Sequence, residues 1–335
     1  MSGLLTLSDR GGANPVTIPH AGAALSWALS TAGSFSAIVP SSIARRFDFA
    51  GGNSAGRYWL RYEHPCLPDW GGVVTMPAWS EGALELGAEG FESLLRKRRV
   101  PRVYGQQSAT PGALFMRAFR DVQADDYIGI VSAEADEIGD PLSWEWRGGD
   151  LYDDIARQLS QSSGQDWNVD ADRNLRWLRR AGSDKTGSVM LYHPHEITSY
   201  SYVTDLWTTE NDIEGVAADA RYDRSVNAIR DHDDSVRAIG RYMVSRRYDR
   251  VVKGGTLVRK IWNDINRNAW PSETMELTTV NVGQSWSAYH VGDSVGVTLP
   301  DANAVRQVRI LARSIDVDAG LETLGVDVEF EADGW

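Results

Sequence analysis

Two histidines one residue apart, His193 and His195, with Glu196 beside them, are the first residues whose types suggest chemistry. Alternate residues of an extended chain project to one side, so the pair has the spacing of two metal ligands. No third ligand stands at a recognisable spacing, and a polar loop explains the segment equally well. Asp231-His232-Asp233-Asp234 gathers carboxylates that suit a cation. The glycine and glutamate of a calcium loop are missing from it. The simpler expectation is a solvated N-terminal cap for the segment carrying Ser235, Val236 and Ile239. Forty-six acidic residues supply so many carboxylate pairs that none is singled out for glycoside hydrolysis. The run RKRRVPR at 96–102 is the one strong basic patch. It suits a phosphate backbone, the C-terminus of a helix, or acids on a neighbouring subunit. No nucleophile elbow, phosphate-binding glycine loop, zinc-protease helix or dinucleotide turn is present.

Composition narrows the classes further. A chain of 335 residues fits two or three domains, and 42% hydrophobic residues are enough for ordinary cores. A net charge of -12 argues against holding nucleic acid by its phosphates, though not against a surface that nucleic acid slides past. The single cysteine, Cys66, excludes an internal disulfide framework and a cysteine zinc cluster; it reads as a small buried apolar residue. No apolar run reaches the ~20 residues of a membrane span, and the N-terminus carries no secretory pattern. Thirteen Trp residues suit cores, interfaces and carbohydrate platforms alike.

The elements that must position these residues are mostly strands. Val295, Val297 and Leu299 alternate with polar or small residues, as do Val308, Ile310 and Ala312, and Val326, Val328 and Phe330. Period two predicts half-buried antiparallel strands. Leu25, Trp27 and Leu29, then Phe35, Ala37 and Val39, form a matching unit near the N-terminus, and residues 57–63 a strand apolar on both faces. Asp69-Trp70-Gly71-Gly72 reads as a turn. Helices are predicted over about 88–99, from Pro111 with Thr110 as N-cap, from near Asp150, and over about 256–268. Residues 127–131 read as a short buried strand, Val169 and 175–177 as a hairpin, and 200–203 and 226–229 as short strands. Two slips of parity, Leu277 to Val280 and Ile310 to Ile315, predict bulges at sheet corners. The echo of RYDRSV at 221–226 in RYDRVV at 247–252 is too short for a repeat architecture.

Several segments, taken in order, carry a resemblance. They are GSFSAIVP at 33–40, PDWGGVVTMPAWSEGALELGAEGFESLLRKRRV at 68–100 and DLYDDIARQLSQSSGQDWNVD at 150–170, followed by DDSVRAIGRY at 233–242, the helix at 256–268 and YHVGDSVGVTLP at 289–300. The chain from about residue 25 onward resembles the tail-tip or baseplate hub proteins of long-tailed bacteriophages, related in fold to the T-even hub and the type VI secretion spike hub. The resemblance implies a β-rich α+β protein with two tail-tube-like β-barrel domains, at 1–110 and 196–335, and short packing helices. A smaller α/β middle domain at 111–195 lies between them, and 196–230 is free to return to the first barrel.

It implies a structural virion component made in the host cytoplasm. Three copies would present six barrels to a six-fold tube, with barrel edges paired or covered. Partners implied are a tail tube or distal tail protein and tape-measure, fibre or spike components, with DNA passing through unbound. No lysozyme, peptidase or needle extension is visible, and neither catalytic residues nor a metal or other cofactor are expected. A receptor- or carbohydrate-binding tail protein and a tail-associated cell-wall hydrolase are the alternatives.

Overall fold

The computed structural model describes residues 3–47, 49, 56–219, 224–248, 254–281, 285–300 and 304–328. The protein is strand-rich, with antiparallel sheets dominating. Its first unit contains β1 (Leu4–Asp9), β2 (Val16–Ile18), β3 (Ala21–Ala28), β4 (Ser34–Pro40), a one-turn α1 (Ser41–Ala44), β5 (Tyr58–Glu63), β6 (Trp70–Ser80) and β7 (Ala83–Gly90). Alternation makes these strands one-sided. Leu5 and Leu7 of β1 are buried while Thr6 and Ser8 are not, and Phe35, Ala37 and Val39 of β4 face Leu84, Leu86 and Ala88 of β7. The expected N-terminal unit at 25–39 is therefore a β3–β4 hairpin.

The middle unit holds β8 (Tyr104–Ala109), α2 (Pro111–Asp125), β9 (Ser132–Ala135), β10 (Leu142–Trp146), α3 (Tyr152–Ser163), β11 (Asp166–Val169) and β12 (Asn174–Leu178). Thr110 caps α2 as expected, its hydroxyl accepting from Ala113 N at 3.4 Å, with Pro111 in the first turn. The helix buries Leu114, Phe115, Ala118, Phe119 and Val122 against α3 and the β11–β12 hairpin.

β13 (Met190–Tyr192) and β14 (Ile197–Asp205) open the last sheet, and an excursion follows: β15 (Asp212–Asp219), β16 (Arg224–Asp231), α4 (Asp233–Ile239), β17 (Met243–Arg247) and α5 (Gly254–Asn268). Leu257, Ile261 and Ile265 of α5 cover that small sheet. The chain then returns as β18 (Ser272–Val280), β19 (Ser294–Leu299), β20 (Ala304–Asp316) and β21 (Leu321–Val328). β14 pairs with β18, Asp205 opposite Ser272, so the excursion interrupts a hairpin.

The first and last units share one sheet. β20 pairs with β19 through Arg309, changes register between Ile310 and Ala312 against β21, and from Ala312 to Asp316 pairs with β3. The path runs β14-β18-β21-β20-β3-β4-β7-β6-β5-β1-β2 without closing among the described strands. The slip expected after Ile310 is this bend.

Several expectations need correction. Residues 88–99 are not a helix: β7 continues to Gly90 and only Phe91–Leu95 makes a 3-10 turn. Leu84, Leu86 and Ala88 already fix a period of two, Gly87 and Gly90 disfavour a helix, and Lys97 at φ +62° ends the turn. Trp70-Gly71-Gly72 is not a turn but the start of β6, in register with Tyr62, Arg61 and Leu60. Residues 127–131 are not a strand. Ile128 and Ile130 are buried in irregular backbone, satisfied by the Gln123 side chain, which accepts from Ile128 N and donates to Ile130 O. No slip occurs in β18 at Leu277, because buried Thr279 keeps the parity; the bulge lies opposite, between Ile197 and Ser199. β19 is covered on both faces, since Arg180 reaches Ser294 and Met190 lies over Gly296. Residues 221–223 and 249–252 of the short echo, and Val282 and Phe330, lie outside the described residues.

Candidate functional site

The most constrained side chains lie where the three units meet. Beyond the bend in β20, Arg313 falls on the buried parity with Ile315. Its guanidinium donates Nε–H to Glu322 of β21, Nη1–H to Tyr289 O and Nη2–H to Trp286 O, each of the last two at 2.8 Å. Glu322 also accepts from Tyr289 Oη at 2.5 Å and Thr279 Oγ1 at 2.7 Å. Arg313 is 1% and Glu322 0% exposed at the side chain, so the network is dry and the two charges satisfy one another. Burial, and then the Glu322 carboxylate, push the Tyr289 phenol up, so it stays a donor. Trp286 packs into the first core and Tyr289 into the last; a three-residue step thus pins both units to one ion pair.

A second lock joins the middle unit to the last sheet. Asp166 of β11 accepts from Ala181 N at 2.7 Å and from Arg309 of β20 at 2.5 Å, and Arg309 also donates to Ala181 O. Gly182 and Gly292 touch backbone to backbone here. A Cβ on Gly182 would lie 2.1 Å from Gly292 C, and Gly182 has φ +80°. Asp293 then accepts from Ser183 N at 2.7 Å, His290 N at 2.8 Å and Lys185 Nζ at 2.9 Å. Burial pushes its carboxyl up, but Lys185 and the two amides outweigh it and hold the group below the usual range.

A third set ties the middle unit to the first. Arg61 of β5 bridges Asp69, Glu63 and Asp172, the last in the β11–β12 turn. Arg173 lies 4.7 Å over the Trp59 ring, and Gly71 leaves room for Ala171 where a Cβ would come within 2.9 Å. Glu92, in the 3-10 turn, accepts from Val169 N at 3.2 Å. Its carboxyl is pushed up to about 7 by burial, against the amides of Glu92 and Val169 and with Asp170 adding to the rise. Between these contacts lies a cavity of about 420 Å³ whose walls include Trp27, Trp70, Glu92, Asn168, Asp170 and Arg313.

The residues singled out in the sequence lie apart from this joint. His193 packs edge-on to Tyr200 at 5.3 Å, while Glu196 accepts from Tyr192 N at 3.0 Å, so the segment is a turn held by its own groups. No three metal-ligating side chains cluster among the described residues. In the acidic run, His232 caps α4 by accepting from Ser235 N, and Asp231 pairs with Arg241. The basic run is partly neutralised, Arg96 by Glu89 and Arg98 by Asp126. Cys66 is half-buried against the first core. Seven of the Trp residues (59, 70, 144, 146, 167, 177 and 286) are buried, and Trp207 is 88% exposed. Sequence reading missed Arg313 and Glu322. The available signal was a charged pair on the two apolar parities of adjacent strands, readable only once the bend at Leu311 is known.

No family model and no curated protein matches the sequence. Solved structures do match the fold over nearly the whole chain. A prophage tail protein from Listeria monocytogenes is 14% identical, covers 96% of this chain and 94% of its own, and superposes with a TM-score of 0.64. The tail protein of prophage MuSo2 from Shewanella oneidensis is 16% identical, with 97% of each chain covered and a TM-score of 0.65. An E. coli component of the type VI secretion system is 14% identical, with 98% of this chain and 78% of that one covered and a TM-score of 0.57. The chain therefore has the fold of phage tail and spike-hub proteins, as the sequence resemblance implied.

Proposed function

We propose that this protein is a structural component of a phage tail tip: a homotrimeric hub that joins a six-fold tail tube to the distal tip and gates the DNA channel. The likeness of fold to prophage tail proteins, over 94% or more of both chains, carries the reading. The layout supports it. Two β units, read as tube-like barrels at 1–110 and 196–335, flank a middle unit read at 111–195, which β8 at 104–109 joins by pairing with β10, and they share one sheet through β3 and β20. Three such chains supply six β units, which matches a six-fold ring with three-fold symmetry. The net charge of -12 favours a channel wall that repels DNA rather than holds it. Partners are the tube or distal tail protein on one side and spike, fibre or tape-measure components on the other, all within the virion. The joint is built for rigidity, with its charges spent on one another, and the reading is non-enzymatic. Seven of the described Trp side chains fill cores, which takes most of the composition away from a carbohydrate platform, although Trp79, Trp207, Trp262 and Trp270 are exposed.

Sedimentation equilibrium of the purified chain, alone and with tube protein, tests the proposal. A three-chain particle that electron microscopy resolves as a three-fold ring supports it. A stable monomer without affinity for other tail components overturns it.

A further inference from the structure

The cavity of about 420 Å³ between the three units has the size of a site for a small organic molecule. Trp27 of β3 and Trp70 of β6 stand in its wall. Trp70 donates its Nε1–H to Ser26 O at 3.1 Å, so the indole has met its one polar need and offers only its ring.

The charges on the wall are matched, with one exception. Asp69 pairs with Arg61. Asp170 accepts from Asp172 N at 3.0 Å and Asn174 N at 2.9 Å, and lies 3.5 Å from Arg176, which also holds Glu134 at 3.0 Å. Arg313 gives its three nitrogens to Glu322, Tyr289 O and Trp286 O. His290 is uncharged at neutral pH, because burial, and then Arg313 and Lys185, push its imidazole down. Glu92 is the exception. One oxygen accepts from Val169 N, and the other lies over Gly90, where a Cβ would collide with it. No cation pairs with Glu92 among the described residues.

We infer that this cavity binds a small organic ammonium ion, with its charged head on Glu92 and its apolar body against Trp27 and Trp70. An anion finds no welcome, since both wall arginines already hold carboxylates. A neutral molecule would leave the ionised Glu92 without a counter-charge. The proton is the competitor: in acid it neutralises Glu92, and in base an ammonium takes its place. The inference needs one chain only, so it stands or falls separately from the trimer.

The test uses the full chain and two probes of nearly the same shape, 2-phenylethylamine and 2-phenylethanol, followed by isothermal titration calorimetry. Saturable binding of one amine per chain is expected at pH 8. Affinity should be about tenfold weaker at pH 6, where Glu92 is mostly protonated while the amine keeps its charge. At pH 7, titrations in two buffers of different ionisation enthalpy should report about half a proton released per amine bound. The alcohol should bind at least tenfold more weakly than the amine, and Glu92→Gln should weaken the amine at least tenfold and abolish the proton release. Far-UV circular dichroism confirms that the variant keeps its strands; should it fail to fold, the pH series and proton count on the wild-type chain decide. No saturable binding at pH 8, equal affinity at pH 6 and 8, an alcohol that binds as tightly as the amine, or equal affinity for Glu92→Gln overturns the inference.

Discussion

Arg313 and Glu322 show how one pair of residues can specify a junction. A buried ion pair adds little net stability relative to apolar residues, but removing one partner strands the other charge. Arg313→Met is expected to cost about 3–5 kcal/mol in chemical denaturation. Adding Glu322→Met should recover part of that loss, leaving a coupling of about 1–3 kcal/mol in the double-mutant cycle; strictly additive losses would contradict the account. Glu92 predicts a pH dependence of definite sign. Its carboxyl is pushed up to about 7, against an ordinary value of about 4.3, so the folded state holds the proton more tightly than the unfolded chain. Its contribution is complete below that window and is lost as pH rises through it, because the folded state there binds more protons than the unfolded one. Glu92→Gln should flatten the fall of the denaturation midpoint between pH 4.5 and 7; an unchanged slope would refute this.

Elements whose signal is local were legible in the sequence. Thr110 and Pro111 announced α2, the spacing of Leu257, Ile261 and Ile265 announced α5, and alternation announced β4, β19, β20 and β21. Errors arose where two periods overlap or where a polar residue does an apolar residue's work. Ala88, Phe91 and Leu95 mimic a helical stripe although Ala88 lies within a strand that runs on to Gly90. Thr279 fills a core position because Glu322 takes its hydroxyl. The pairing of β3 with β20 joins residues nearly 300 apart in sequence, and no local pattern encodes a register of that kind. The joint was therefore invisible, although its residues were in plain view. At this scale Gly182→Ala is a sharp test: the added Cβ would meet the Gly292 backbone, and φ +80° disfavours any side chain. A loss of about 2–4 kcal/mol is expected, with new proteolytic cleavage between Arg179 and Lys185. Wild-type protease resistance in the variant would show the contact to be dispensable.

The whole molecule is organised around what is continuous and what is inserted. Residues 206–271 leave and re-enter the last sheet between cross-strand partners Asp205 and Ser272, and carry their own small core. Replacing them with an Asn-Gly turn, which suits a two-residue hairpin, should leave β14 paired with β18 and the other three cores intact, with strand content retained by circular dichroism. The excursion touches the middle unit through Lys260 over Trp144 and Asn263 on Ser162, so a lower melting temperature is expected as well. Collapse of the strand signal would mean that the excursion nucleates the sheet. The five residue pairs between β3 and β20 have a mechanical consequence. A load pulling the two outer units apart along these strands falls on parallel backbone bonds together, in shear, instead of peeling them in turn. Such a seam resists tension far better than a flexible linker, and a blow delivered to one unit travels to the other with little lost to bending.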